Sequence, residues 1–195
     1  MEIFLHNFNF ILFNSFLALV PVLFGWLMSK ANSVFAKVWT GFIWFIFLPN
    51  TIYILTDIAY LFEDLPKVSN LFRAILIIQY SLFTLFGIMT FVIATYFFQK
   101  LLQRKNNKRI KSTTILAIFI LNFTVGFGVV LGGIERTNSW QIFTDPIRVK
   151  NDVFSILSSQ EMLLISAGVG ILANAIYFLC VKTVVTWVPK AFLRK

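Results

Sequence analysis

Apolar positions dominate five stretches of the chain, at 8–28, from 34 to beyond 49, and at 71–98, 113–131 and 162–188. A helix rises about 1.5 Å per residue, so crossing a hydrocarbon layer about 30 Å thick takes about 20 residues, and these stretches approach or exceed that length. The pattern predicts an all-α fold, a polytopic membrane helical bundle of about five transmembrane helices forming one integral membrane domain over 1–195. The first stretch lacks the basic region of a signal peptide and is expected to stay as a span. Pro21 marks an expected kink in it.

The second stretch reaches Pro49 after about fifteen residues, or about 22 Å, which is too short for a crossing. It must continue past the proline, with the helix kinked or broken there because proline removes an intrahelical hydrogen bond. Whether 51–62 completes the span or forms a re-entrant or interfacial helix stays open. Asn50, Tyr53, Asp57, Tyr60 and Asp64 follow at helical spacing and make one polar stripe, while Ile52, Leu55, Ala59 and Phe62 take the other side. Counted from Val34, Asp57 lies about 35 Å along the helix, and Glu135 lies about 33 Å along from Thr113. Two segments are thus expected to bring polar groups to the same membrane boundary. The second of these is Gly132-Gly133-Ile134-Glu135-Arg136-Thr137-Asn138-Ser139-Trp140. A charge in that zone is expensive alone, so an Asp57–Arg136 pair is expected. The competing reading makes these residues helix caps and interfacial anchors, with Tyr53, Tyr60 and Trp140 in an aromatic belt.

Composition supports the membrane reading: 58% of the 195 residues are hydrophobic, 13% are charged, and 24 are phenylalanine. A soluble domain carries about 45–50% apolar and about 25% charged residues. The net charge of +9 is distributed unevenly. Twelve of the 17 basic residues fall at 30–37, 100–111 and the C-terminal end, with no acid among them, while all eight acids lie on the other side. The positive-inside bias then places the N-terminus outside and the C-terminus in the cytoplasm, in the cell membrane. The basic 100–111 loop reads as an orientation signal; no aromatic residue interleaves its charges to stack on bases, so nucleic acid is not an expected partner. A single cysteine, Cys180, and a single histidine, His6, exclude an internal disulfide, a thiolate metal cluster and a histidine cluster, and no cofactor or metal is expected.

Phe47-Leu48-Pro49-Asn50 with Tyr53 and Thr56-Asp57, followed by Gly126-Phe127-Gly128, Leu131-Gly132 and Arg136 with Asn138-Ser139-Trp140, resembles the signatures of the bacterial membrane proteins catalogued as domain of unknown function 1361. The resemblance covers most of the chain and implies no activity. Against the family's pattern, this chain has Tyr60 where a histidine often stands, Gly133 in place of an arginine and Gln141 in place of an aspartate. Asn50, Asp57, Arg136, Asn138, Ser139 and Trp140 keep the pattern.

Gly128 and Gly132, and likewise Ser166, Gly170 and Asn174, form small-residue faces that read as packing seams within the chain or between copies, leaving self-association open. Gln79, Ser81, Asn122 and Asn174 are polar groups within spans and are expected to bond across helices; Lys182 is expected to snorkel. The leading expectation is a polar pocket at the extracytoplasmic rim, formed by Asn50, Tyr53, Thr56, Asp57, Tyr60, Glu135, Arg136, Asn138, Ser139 and Trp140. It would bind a lipid headgroup, a small polar ligand or an envelope protein partner. Two alternatives are a membrane-embedded hydrolase or transferase acting on a lipid-linked substrate, with Asp57 or Glu135 moving the proton, and a small transporter. No residue is assigned a catalytic role.

Overall fold

A computed structural model describes residues 2–103 and 110–188, without the side chains of 2–8, 110 and 111. In the basic loop, Arg104, Lys105, Lys108 and Arg109 lie outside the described residues, as do Lys190, Arg194 and Lys195 and the side chains of Glu2, His6 and Lys111. The elements in chain order are α1 (Glu2–Lys30), α2 (Val34–Phe47), α3 (Pro49–Thr56), α4 (Ile58–Asp64), a 3-10 turn (Leu65–Lys67), α5 (Asn70–Gln103), α6 (Ile110–Gly133), α7 (Gln141–Thr144), α8 (Pro146–Ser158) and α9 (Gln160–Trp187). No strand occurs among the described residues. Five segments are long and apolar enough to cross a membrane: Asn9–Lys30, Val34–Lys67, Asn70–Gln103, Ser112–Gly133 and Gln160–Trp187. Large apolar side chains such as Leu12, Phe16, Ile78, Leu116, Ile171 and Leu179 are exposed, the arrangement expected where the surrounding solvent is lipid.

The second span differs from an ordinary helix. α2 starts at Ser33, whose hydroxyl accepts from Ala36 N–H at 3.1 Å. It ends at Leu48, immediately before Pro49, and the chain resumes as α3 with the proline at its first position. Leu48 retains helical dihedrals (φ −57°, ψ −40°), so the chain bends without reversing. Side chains take up the carbonyls at the break: Ser139 Oγ donates to Ile46 O at 3.2 Å, Asn50 Nδ2 to Phe47 O at 3.1 Å, and Thr51 Oγ1 to Leu48 O at 2.7 Å. These bonds meet the requirement that backbone groups released at membrane depth find another partner. A second break, at Asp57, separates α3 from α4. The uninterrupted polar stripe expected from Asn50 to Asp64 is therefore divided in two.

Short α3 lies at the centre of the bundle, in contact with α1, α5 and α6. Leu48, Thr51, Ile52 and Ile54 are buried. Glycines on both flanking helices permit this approach. A Cβ on Gly87 of α5 would lie 2.8 Å from Thr51 O, and one on Gly128 of α6 would lie 2.4 Å from Pro49 Cγ. Gly128 thus belongs to a seam within the chain.

α6 pairs most extensively with α9. A Cβ on Gly126 would stand 2.3 Å from Ser166 O and 2.6 Å from Gly170 N. Ser166, Gly170 and Asn174 are buried against α6, so this small-residue face is also used inside the chain. Asn122 Nδ2 donates to Asn174 Oδ1 at 3.1 Å, and Asn174 Nδ2 donates to Gly170 O at 2.9 Å. The expected cross-helix bonding holds for this pair. Ser81 instead faces outward, and Gln79 Oε1 is buried with no hydrogen-bond partner among the described residues. Replacing Asn122 by leucine should strand the Asn174 carbonyl and lower stability by about 1–2 kcal/mol, read as a fall in the thermal midpoint of the purified protein. An unchanged midpoint would show that the amide pair adds nothing to the α6–α9 contact.

Candidate functional site

A cleft of about 330 Å³ opens between the helix break, the end of α6 and the segment that follows it. Its apolar walls include Phe45, Pro49, Phe127, Leu131 and Ile142, and its polar lining is Asn50, Tyr53, Thr124, Thr137, Asn138 and Ser139. Among the described residues, no acidic or basic side chain lines it.

The polar corner is built from both segments singled out in the sequence. Pro49 ends α2 and places Asn50 in the first turn of α3, where Asn50 Nδ2 donates to Ser139 Oγ at 2.9 Å. Ser139 passes its own hydrogen to Ile46 O, so this one hydroxyl joins α2, α3 and the 134–140 segment. At the far end of α6, Arg136 adopts φ 55°, the left-handed region that favours glycine, and Thr137 N–H returns to Leu131 O at 3.1 Å. The Thr137 hydroxyl donates to Asp152 Oδ2, which also lies 3.6 Å from Arg148 Nε. α8 thereby secures the segment, and its Val149 joins the cleft wall. The Asn138 N–H is taken by Gln141 Oε1. Tyr53 lies over Gly132 and Gly133, where a Cβ would stand 3.5–4.0 Å from its ring.

The ten predicted residues do not form one pocket. Asn50, Tyr53, Asn138 and Ser139 line the cleft. Thr56 is exposed, with its hydroxyl bonded to Tyr53 O at 2.6 Å. Asp57 turns to α1, accepts from Asn14 Nδ2 at 3.1 Å and is only 1% exposed. Tyr60 meets Phe10 of α1 edge-on with ring centroids 5.6 Å apart, and Trp140 meets Phe13 at 6.0 Å. Glu135 contributes its backbone carbonyl to Arg148 at 3.5 Å.

The expected Asp57–Arg136 ion pair is not formed: Asp57 makes no ion pair among the described residues, and Arg136 is exposed. The break at Asp57 directs its carboxylate to α1, while the left-handed turn carries Arg136 to the surface. Asn14, Thr137, Gln141 and Asp152 are not among the site residues expected from sequence. Of these, Asp152 left a local signal, because Arg148 and Asp152 stand four apart on a helix opened by Asp145-Pro146. Asn14 left none.

The Asn50–Ser139 bond yields a direct expectation. A double-mutant cycle with Asn50→Ala and Ser139→Ala should return a coupling of about 1 kcal/mol in unfolding free energy, because the pair is partly buried and joins two segments. Strictly additive losses would mean that the two side chains act independently.

The family model described as "Protein of unknown function (DUF1361)" matches residues 13–176. No curated protein and no solved structure matches the chain.

Proposed function

The chain belongs to this family of unknown function and carries five membrane-length apolar helices, and from that premise we propose that its cleft binds a lipid-like amphiphile with an uncharged, hydrogen-bonding polar end. The observation that carries the reading is the cleft's composition: apolar walls, with Asn50, Tyr53, Thr137, Asn138 and Ser139 as neutral donors and acceptors at the loop end. Small-molecule sites of about 300–1,000 Å³ commonly combine mostly apolar walls with a few placed polar groups. At about 330 Å³ this cleft holds a polar end and a short apolar segment, not a whole phospholipid. The rest of the ligand would remain in the bilayer.

The partition of basic and acidic residues supports an extracytoplasmic position for the cleft, in a cell membrane with the C-terminus inside. Headgroups with hydroxyl or amide functions suit the neutral lining better than phosphate does. Arg136 is exposed beside Thr137, where it would meet an anion outside the cleft.

Photoreactive lipid probes that share one acyl chain and differ in headgroup test this reading in membranes containing the protein. Adducts are expected on cleft peptides at 124–132 and 137–142, with Leu131→Trp lowering them at least about tenfold, equivalent to about 1.4 kcal/mol of binding. Leu179→Trp, on an exposed position of α9, should leave the cleft adducts unchanged. Labelling spread evenly over the lipid-facing helices, or unaffected by Leu131→Trp, would defeat the proposal.

A further inference from the structure

A second polar centre lies apart from the cleft. Ala18 of α1, Ile54 of α3 and Phe83 of α5 form a buried apolar cluster. One turn further along each helix toward the α3–α4 break, the sequence places Asn14, Asp57 and Gln79. α1 and α5 run in one direction and α3 in the other, so a step back of four residues on the first two matches a step forward of three on the third. Asn14 and Asp57 are in contact, and helix register places Gln79 at the same level above the apolar cluster.

The layer has acceptors without enough hydrogens. Asn14 Nδ2 donates to Asp57 Oδ2 at 3.1 Å, while Asp57 Oδ1 and Gln79 Oε1 are both buried without a hydrogen-bond partner among the described residues. Turning the Gln79 amide over would offer a donor but no charge. A carboxylate enclosed by neutral groups in a low-dielectric interior costs several kcal/mol unless a positive charge joins it. Tyr53 and Tyr80 interact electrostatically with Asp57, and Tyr80 also with Tyr60, Glu63 and Asp64; the cation in this group, Lys67, is exposed and held by Asp64 at 3.0 Å. Arg136 reaches Tyr53 electrostatically but remains exposed. On α1, Glu2 and His6 lie beyond the described side chains.

We propose that Asn14, Asp57 and Gln79 form a buried site for an exchangeable monovalent cation, either a proton or an alkali metal ion. A proton on Asp57 Oδ1 would provide the hydrogen that the layer lacks. An alkali ion would take the same oxygen together with amide oxygens, a donor set suited to hard cations. The site is separate from the cleft reading and does not depend on it.

The test treats the full chain, reconstituted in lipid nanodiscs, with N,N′-dicyclohexylcarbodiimide, which enters membranes and modifies protonated carboxyl groups. Adduct on the Asp57 peptide is quantified from about pH 5 to 9, a range spanning ordinary carboxyl and imidazole titration, in sodium, potassium or choline chloride of equal ionic strength. Melting midpoints are recorded in the same salts. An Asp57 adduct that falls with rising pH equally in all three salts assigns the proton. An adduct suppressed at least about tenfold by sodium or potassium relative to choline, or no adduct but a midpoint higher in one of those salts, assigns the alkali ion. No adduct with identical midpoints, or an adduct constant across every pH and salt, overturns the site.

Asp57→Asn is expected to fold, since its amide keeps an oxygen to accept from Asn14 Nδ2, and to lose the carbodiimide adduct together with any salt dependence of melting. Should it fail to fold, Gln79→Leu keeps the carboxyl in place and should shift the pH profile or weaken alkali protection several-fold. A profile identical to that of the unsubstituted chain would overturn the three-residue site.

Discussion

Gly126→Val is expected to separate α6 from α9 and to leave little folded protein. Even the first added carbon would fall 2.3 Å from Ser166 O and 2.6 Å from Gly170 N, both of them backbone atoms of a long helix. Neither can rotate away as a side-chain tip would. The helices must part, opening the contact that buries Asn122 and Asn174. Overpacking commonly costs about 1–3 kcal/mol, and a clash with two backbone groups of α9 belongs at or above the upper end of that range. Gly168→Ala on α9 is the matched control, since nothing lies within 4 Å of its added carbon. The two variants should diverge in the yield of monodisperse protein and in melting midpoint by about 6–12 °C or more, given about 3 kcal/mol and about 2–4 °C per kcal/mol for a chain of this size. Similar midpoints would show that the α6–α9 approach is looser than this geometry.

Gly128→Val is expected to alter the cleft itself. Its first added carbon would lie 2.4 Å from Pro49 Cγ and 2.9 Å from Pro49 Cβ, so the rigid ring must move away from α6. Pro49 opens α3, and its displacement would carry Asn50 from Ser139 and Leu48 from the core. The expected loss is about 2–3 kcal/mol of stability, together with at least about a tenfold loss of lipid-probe adducts on cleft peptides. Gly132→Ala meets only ordinary contacts, 3.8–4.0 Å from Thr137 O and the Tyr53 ring, and should retain both stability and labelling. Equal labelling in Gly128→Val and the unsubstituted chain would detach the cleft from lipid binding.

These glycines show where the sequence is informative and where it stops. Gly126, Gly128 and Gly132 are all visible within one span, yet one meets α9, one meets a proline ring and one has room to spare. Their spacing announces close approach without naming the neighbour. Asn50 and Ser139 are legible because Pro49 and the end of α6 are local signals and helix lengths put both segments at one depth, but the bond between them is set by the fold. Asp57 was legible as a costly group, but its assigned partner was wrong. The partner depends on the second break, at Asp57 itself, where no proline or glycine marks the sequence.

Hydrophobic periodicity and run length determined that the chain forms five apolar helices, that the second is interrupted at Pro49, and that polar groups gather beyond the interruption, because these are costs each segment meets on its own against lipid. Tertiary structure alone decided that α3 sits at the centre of the bundle, that Ser139 bonds to the broken helix, and that the Asp57 carboxylate is enclosed beside Asn14. Those outcomes depend on helix rotation and on close contacts between residues distant in sequence. A difference of one residue in where a helix bends turns a side chain by about 100°, which changes its neighbour without changing the hydrophobic pattern.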